Sequence, residues 1–141
     1  MDSVQASDLH VRFYNRARAS FPDVAVLGGV RFKYTAPTGN LLEVDLREAR
    51  SRCEAIVTTG EGTGIETPIS KLQAFRKLLP DFPLIVGAGV NLSNIYDQLK
   101  LTDGAIIGSY FKPGGNTQLP VDRARVKDIM DIAREVRKSS N

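Results

Sequence analysis

Glycines and hydroxyl side chains are concentrated in three short stretches of this chain: Thr58-Thr59-Gly60-Glu61-Gly62-Thr63-Gly64, Gly87-Ala88-Gly89 and Gly108-Ser109. Glycine lets a backbone approach an anion closely, and unpaired N–H groups at the start of a following helix add donors and the positive end of a dipole. The second and third stretches therefore read as two parts of a phosphate site, with Gly87, Ala88, Gly89, Gly108 and Ser109 as its residues. A tight turn that binds nothing would also use Gly87-Ala88-Gly89, but two successive units carrying the same pattern favour an anion. The first stretch brings Thr58, Thr59, Gly60 and Thr63 together around one carboxylate, Glu61, and suits a loop that covers a ligand better than a plain solvent loop. Lys33 and Glu61 are the candidate catalytic pair, the lysine as cation or proton-transfer group and the glutamate as acid or base.

Other chemistries are poorly served. Cys53 is the only cysteine and His10 the only histidine, so neither a Zn site nor a Cys-His nucleophile is expected, and no metal or cofactor is called for. The basic stretches Arg12 to Arg18 and Arg134 to Lys138 carry no RNA-binding motif and read as solvated helix faces, not a nucleic-acid surface. The chain has 42% hydrophobic and 25% charged residues and a net charge of +3, which is globular composition. No apolar run approaches the roughly 18 residues of a membrane span, and Met1 to Asn15 lacks the apolar core of a signal peptide. A soluble, cytoplasmic protein is expected.

The elements that must hold these residues follow from apolar patterning. Val24 to Lys33, Ala55 to Thr59, Leu84 to Val86 and Ala105 to Gly108 are short apolar runs without polar alternation, as buried parallel strands are. Extended alternation over the first would put Arg31 and Lys33 on one face and Val30, Phe32 and Tyr34 on the other. Helical stripes lie between: Leu42, Leu46, Ala49 and Cys53; then Leu72, Phe75 and Leu79 after a Thr67 cap and Pro68, ending at Pro80. A short helix capped by Asn91 or Ser93 carries Leu92, Ile95, Tyr96 and Leu99. A last one from Asp122 carries Val126, Ile129, Met130, Ala133 and Val136, and Val4 to Ala19 can form a leading helix. The expected organisation is one α/β domain over 1–141: a leading helix (1–20), four βα units (21–138) and a polar tail (139–141). Two architectures fit, half of a (β/α)8 TIM barrel, whose complete form needs about 250 residues, or a flavodoxin-like open parallel sheet.

In register, Val57 to Gly64, Pro83 to Val90, Asp103 to Lys112 and Pro120 to Val126 resemble the C-terminal half of the BtpA family. The similarity runs from about residue 20 to 136. That family consists of phosphate-binding barrels of roughly twice this length, among them a cyanobacterial factor needed for photosystem I accumulation. The resemblance implies that the glycine turns follow barrel strands 7 and 8, where such barrels hold phosphate. Two departures bear on function. Lys33 is followed by Tyr34 where the family has a Lys-His pair, and the loop after the sixth strand reads Gly60-Glu61-Gly62-Thr63-Gly64 in place of Gly-Ser-Ala-Thr-Gly. The resemblance covers only strands 5 to 8, so residues that the family contributes from strands 1 to 4 are not expected in cis.

The function expected is binding of a phosphate-bearing small molecule with weak or no catalysis. An enzyme acting on a nucleotide or sugar phosphate, and an assembly factor with a vestigial site, are the alternatives. A half-barrel exposes two strand edges, so a homodimer that completes a barrel is the expected partner, alongside the phosphorylated ligand.

Overall fold

The structure, a computed structural model, describes residues 8–139. The elements alternate: α1 (Asp8–Ser20), β1 (Leu27–Gly29), α2 (Leu42–Arg50), β2 (Ala55–Thr58), α3 (Ile69–Leu78), β3 (Leu84–Val86), α4 (Ile95–Leu101), β4 (Gly104–Ala105) and α5 (Arg123–Ser139). Residues 4–7 of the expected leading helix and 140–141 of the expected tail lie outside the described residues. Ser139, assigned to the tail, is the last residue of α5.

The strands pair in parallel in the order β1-β2-β3-β4, with Leu27 beside Ala55, Ile56 beside Leu84 and Ile85 beside Gly104. Each strand lies beside its successor with no reversal of direction across the sheet. A flavodoxin-like sheet needs such a reversal to place helices on both faces. This is half of a (β/α)8 barrel.

Alternation gives the sheet two different faces. Ile56 and Leu84 pack with Leu46, Cys53, Phe75 and Leu79, and Val86 packs with Leu72, Val90, Ile95 and Ile129, all beneath the helices. Each such large side chain contributes about 1.5–3 kcal/mol on burial. Cys53 is one of these packing residues, and burial pushes its thiol up from the ordinary value. The other face carries Leu27, Val57 and Ile85. At its two ends Leu27 and Ile106 are 52% and 49% exposed.

Local structure departs from the sequence expectation where tertiary contacts override apolar patterning. β1 spans Leu27–Gly29 instead of Val24 to Lys33, and the chain turns sharply after Val30 donates to Val57 O at 3.0 Å. Arg31 and Tyr34 adopt left-handed φ of 46° and 60°, so no strand alternation reaches Lys33. Ahead of β1, Glu54 accepts the Val26 N–H at 2.6 Å and pairs with Arg18 of α1, an arrangement that holds the Glu54 carboxyl at about 2. β4 is Gly104–Ala105, short of the expected Ala105 to Gly108, and a 3-10 turn at Ser109–Phe111 follows. Thr67 does not cap α3, since its hydroxyl donates to Ala88 O at 3.3 Å. α4 begins at Ile95, because Asn91 and Ser93 are used in the turn before it; Leu92 and Tyr96 are exposed, whereas Gln98 is buried. Asp122 does start α5, accepting the Ala124 N–H at 2.9 Å.

Candidate functional site

The three glycine-bearing turns meet at the carboxyl ends of the strands. After β2 the chain folds back on itself so tightly that a Cβ on Gly60 would sit 2.4 Å from Glu66 O. The returning segment crosses directly over the turn after β3, where a Cβ on Gly89 would lie 2.3 Å from the backbone of Ile65 and Glu66. Gly89 also holds φ at +68°, a region that side chains beyond glycine rarely enter. At Gly64 the same loop reaches the turn after β4, its Cβ position being 3.8 Å from Ser109 Oγ.

Hydrogen bonds fix the peptides of the β3 turn. Gly87 N–H donates to Thr58 O at 2.8 Å, and the Ala88 carbonyl accepts from Thr67. Because that carbonyl and the Gly89 N–H belong to one planar peptide, the Thr67 contact also orients the Gly89 donor. Asn94 and Asn91 donate to Gly89 O at 2.9 and 3.2 Å. No acceptor among the described residues takes the backbone N–H of Gly89 or of Ser109. Gly108 is open, with nothing within 4 Å of its Cβ position. Thr58 is the last residue of β2 and fully buried; alternation places it on the face of Ile56, and its hydroxyl has no partner among the described residues.

On the other side of the mouth, the turn after β1 is strapped to the loop after β2. Lys33 N–H donates to Thr59 Oγ1 at 2.6 Å, and the Thr63 N–H donates to Tyr34 Oη at 2.9 Å. These contacts with Thr63, aided by the Lys33 charge, lower the Tyr34 pKa. The Lys33 ammonium reaches Thr63 Oγ1 at 3.2 Å. Glu61 is exposed and makes no hydrogen bond or ion pair with Lys33 among the described contacts, so no direct contact links the two.

Lys71, in the first turn of α3, went unrecognised in the sequence. Its ammonium donates to Thr59 O at 2.6 Å and Arg31 O at 2.8 Å. Burial is the main reason its pKa falls, Arg31 acting in the same direction and Glu61 against it. One signal was available: a lysine in the first turn of a helix opposes the dipole there and needs another reason to be present. A cavity of about 940 Å³ lies between α1, α2 and residues 30–40; Lys33, Glu61 and Lys71 are in its wall, while Gly87–Gly89 and Ser109 are not. Among the described residues, no group of three or more His, Cys, Asp or Glu is arranged to hold a metal ion, and no helix is long and apolar enough to cross a membrane.

Comparison with known proteins supplies the wider frame. The BtpA family matches residues 9–135. An uncharacterised protein of Archaeoglobus fulgidus is 36% identical over 114 residues, which are 81% of this chain and 42% of that one. Another, from Thermococcus kodakarensis, is 29% identical over 119 residues, covering 84% and 45% respectively. The chain thus spans less than half the length of these curated relatives. A solved structure of thiamine phosphate pyrophosphorylase from Pyrococcus furiosus superposes with a TM-score of 0.61 at 17% identity, over 87% of this chain and 55% of that one. At that identity the likeness is one of fold, and the fold is a barrel seen here in half.

Proposed function

The chain belongs to the BtpA family, and on that premise we propose that it binds a phosphate-bearing small molecule at the carboxyl-end face of its half-barrel. The observation that carries this reading is the convergence of the three turns, with the loop at Ile65 and Glu66 over Gly89 and Gly64 against Ser109. The N–H groups of Gly89 and Ser109, backed by the Ser109 hydroxyl, are the donors for the phosphate, and Gly87, Ala88 and Gly108 shape the cup. Gly60 and Thr63 belong to the covering loop.

Catalysis in the lone chain is weak or absent. Tyr34 stands where the family resemblance implies an imidazole, and Glu61 has no contact that would hold it against Lys33. A second copy is part of the reading, because β1 and β4 each have one strand neighbour and the exposed Leu27 and Ile106 lie along those open edges. All eight strands of two chains, related by a twofold axis, would then run parallel around one barrel.

Isothermal titration with sugar phosphates and nucleotides tests the binding. Saturable binding is expected, weakened roughly tenfold or more by Ser109→Ala, the loss of one hydrogen bond to an anionic oxygen. Absence of binding to every phosphorylated probe would defeat the reading. Turnover of a bound phosphoester would move the protein into the enzyme class.

A further inference from the structure

The phosphate cup leaves the opposite side of the mouth unused, and that side is built with more constraint than a solvent turn requires. Lys33 is flanked by two non-glycine residues in left-handed conformation, Arg31 and Tyr34. Such backbone persists only where surroundings over-determine it, and it concentrates at functional sites. The surroundings here are specific: Thr59 Oγ1 holds the Lys33 N–H, Lys71 holds the Arg31 carbonyl, and Tyr34 Oη accepts the Thr63 N–H.

The charges in this region are unevenly matched. Arg31 has Asp45 at 3.4 Å, but among the described residues no carboxylate forms an ion pair with Lys33 or Lys71. Both lysines bond to Thr59, one through its backbone N–H and the other through its ammonium, and both line the same cavity. Lys71 is half-buried and spends two of its three protons on carbonyls, leaving one donor uncommitted. The charges acting on the Lys71 ammonium are Arg31, which opposes it, and the exposed Glu61, which favours it. Neither lysine is tied up in an ion pair among the described residues, so both ammoniums are free to take an anion that enters the cavity they line.

The two sides of the mouth are close. Thr63, which the Lys33 ammonium touches, is the chain neighbour of Gly64, which lies against Ser109. Consecutive Cα atoms are about 3.8 Å apart, so the Lys33 ammonium and the Ser109 hydroxyl are separated by at most roughly 15 Å.

We propose that Lys33 and Lys71 form a second anion subsite, and that the ligand is a small molecule with an anionic group at each end. Resting on the phosphate reading above, one phosphate sits at Gly89 and Ser109, and the lysines take a second phosphate or a carboxylate.

Calorimetric titration of the full chain with inorganic phosphate, fructose 1,6-bisphosphate and 3-phosphoglycerate tests this. The parent is expected to bind at least one of the two-ended probes tenfold or more tighter than inorganic phosphate, and the better probe tells phosphate from carboxylate at the lysines. Lys33→Met should weaken the two-ended probes at least tenfold more than it weakens inorganic phosphate, and Lys33→Arg should retain most of the advantage. Lys71→Met should behave like Lys33→Met; if it fails to fold for want of its two carbonyl contacts, the Lys33 pair alone decides. Phosphate binding without any two-ended advantage, or a Lys33→Met loss equal for all three probes, overturns the subsite alone. No binding of any probe by the parent overturns the phosphate reading and the subsite with it.

Discussion

Replacing Gly89 by alanine isolates the contact on which the mouth is built. Two costs arise. At φ +68° a Cβ is strained by about 1–2 kcal/mol. The new atom would also stand 2.3 Å from the Ile65 carbonyl and the Glu66 nitrogen, both backbone, so the covering loop must move by roughly 0.7 Å to reach a tolerable contact. Overpacking of that kind adds about 1–3 kcal/mol. The expected loss is therefore about 2–5 kcal/mol. Two further variants separate the contributions. Gly114→Ala has φ +60° but open space around its Cβ, and should lose only the conformational part, about 1–2 kcal/mol. Gly108→Ala has neither problem and should stay within about 0.5 kcal/mol of the parent. Urea unfolding followed by far-ultraviolet dichroism, with unchanged m values, gives all three. A Gly89→Ala protein as stable as Gly108→Ala would show that the loop does not cross over this turn.

Thr58→Val replaces a fully buried hydroxyl that lacks a partner among the described residues with an isosteric methyl, and should raise stability by about 1 kcal/mol in the same urea assay; a loss would mean the hydroxyl has an acceptor. The Glu54 carboxyl, held at about 2 by Arg18 and the Val26 N–H, gives stability that is present above its unfolded pKa of about 4.3 and lost as pH falls toward 2. Glu54→Gln should therefore lower the melting temperature at neutral pH, with the difference from the parent shrinking through that window; a constant difference would place the effect elsewhere. Sedimentation equilibrium at micromolar concentration should give twice the chain mass, and a lone 15.4 kDa species would refute closure by a second copy.

Much of this fold was legible because a buried parallel sheet writes itself as short apolar runs. Ala55–Thr58 and Leu84–Val86 fall within or match the expected strands, and Phe75, Leu72 and Ile129 are buried where the helical stripes put them. Patterning failed where apolar residues continue past the end of the strand. Val30 and Phe32 look like strand, yet the left-handed Arg31 and Tyr34 turn the chain away, a conformation no propensity for those residues announces. The glycine turns were visible as composition, but their reason was only half visible. Gly89 is required by the protein's own backbone crossing it, which a search for anion cradles does not distinguish from room for a ligand. Lys71 was hidden because its partners, the carbonyls of Arg31 and Thr59, carry no side-chain signature.

The central claim is that a phosphate group is held by the backbone donors of the turns after β3 and β4. It is tested most directly by following the backbone amide resonances of isotopically labelled protein while inorganic phosphate is added. The account predicts saturable shifts concentrated at Gly89 and Ser109, with one common dissociation constant and smaller responses at Gly64 and Gly108. Shifts spread over surface lysines and arginines in proportion to ionic strength, with Gly89 and Ser109 unmoved, would contradict it.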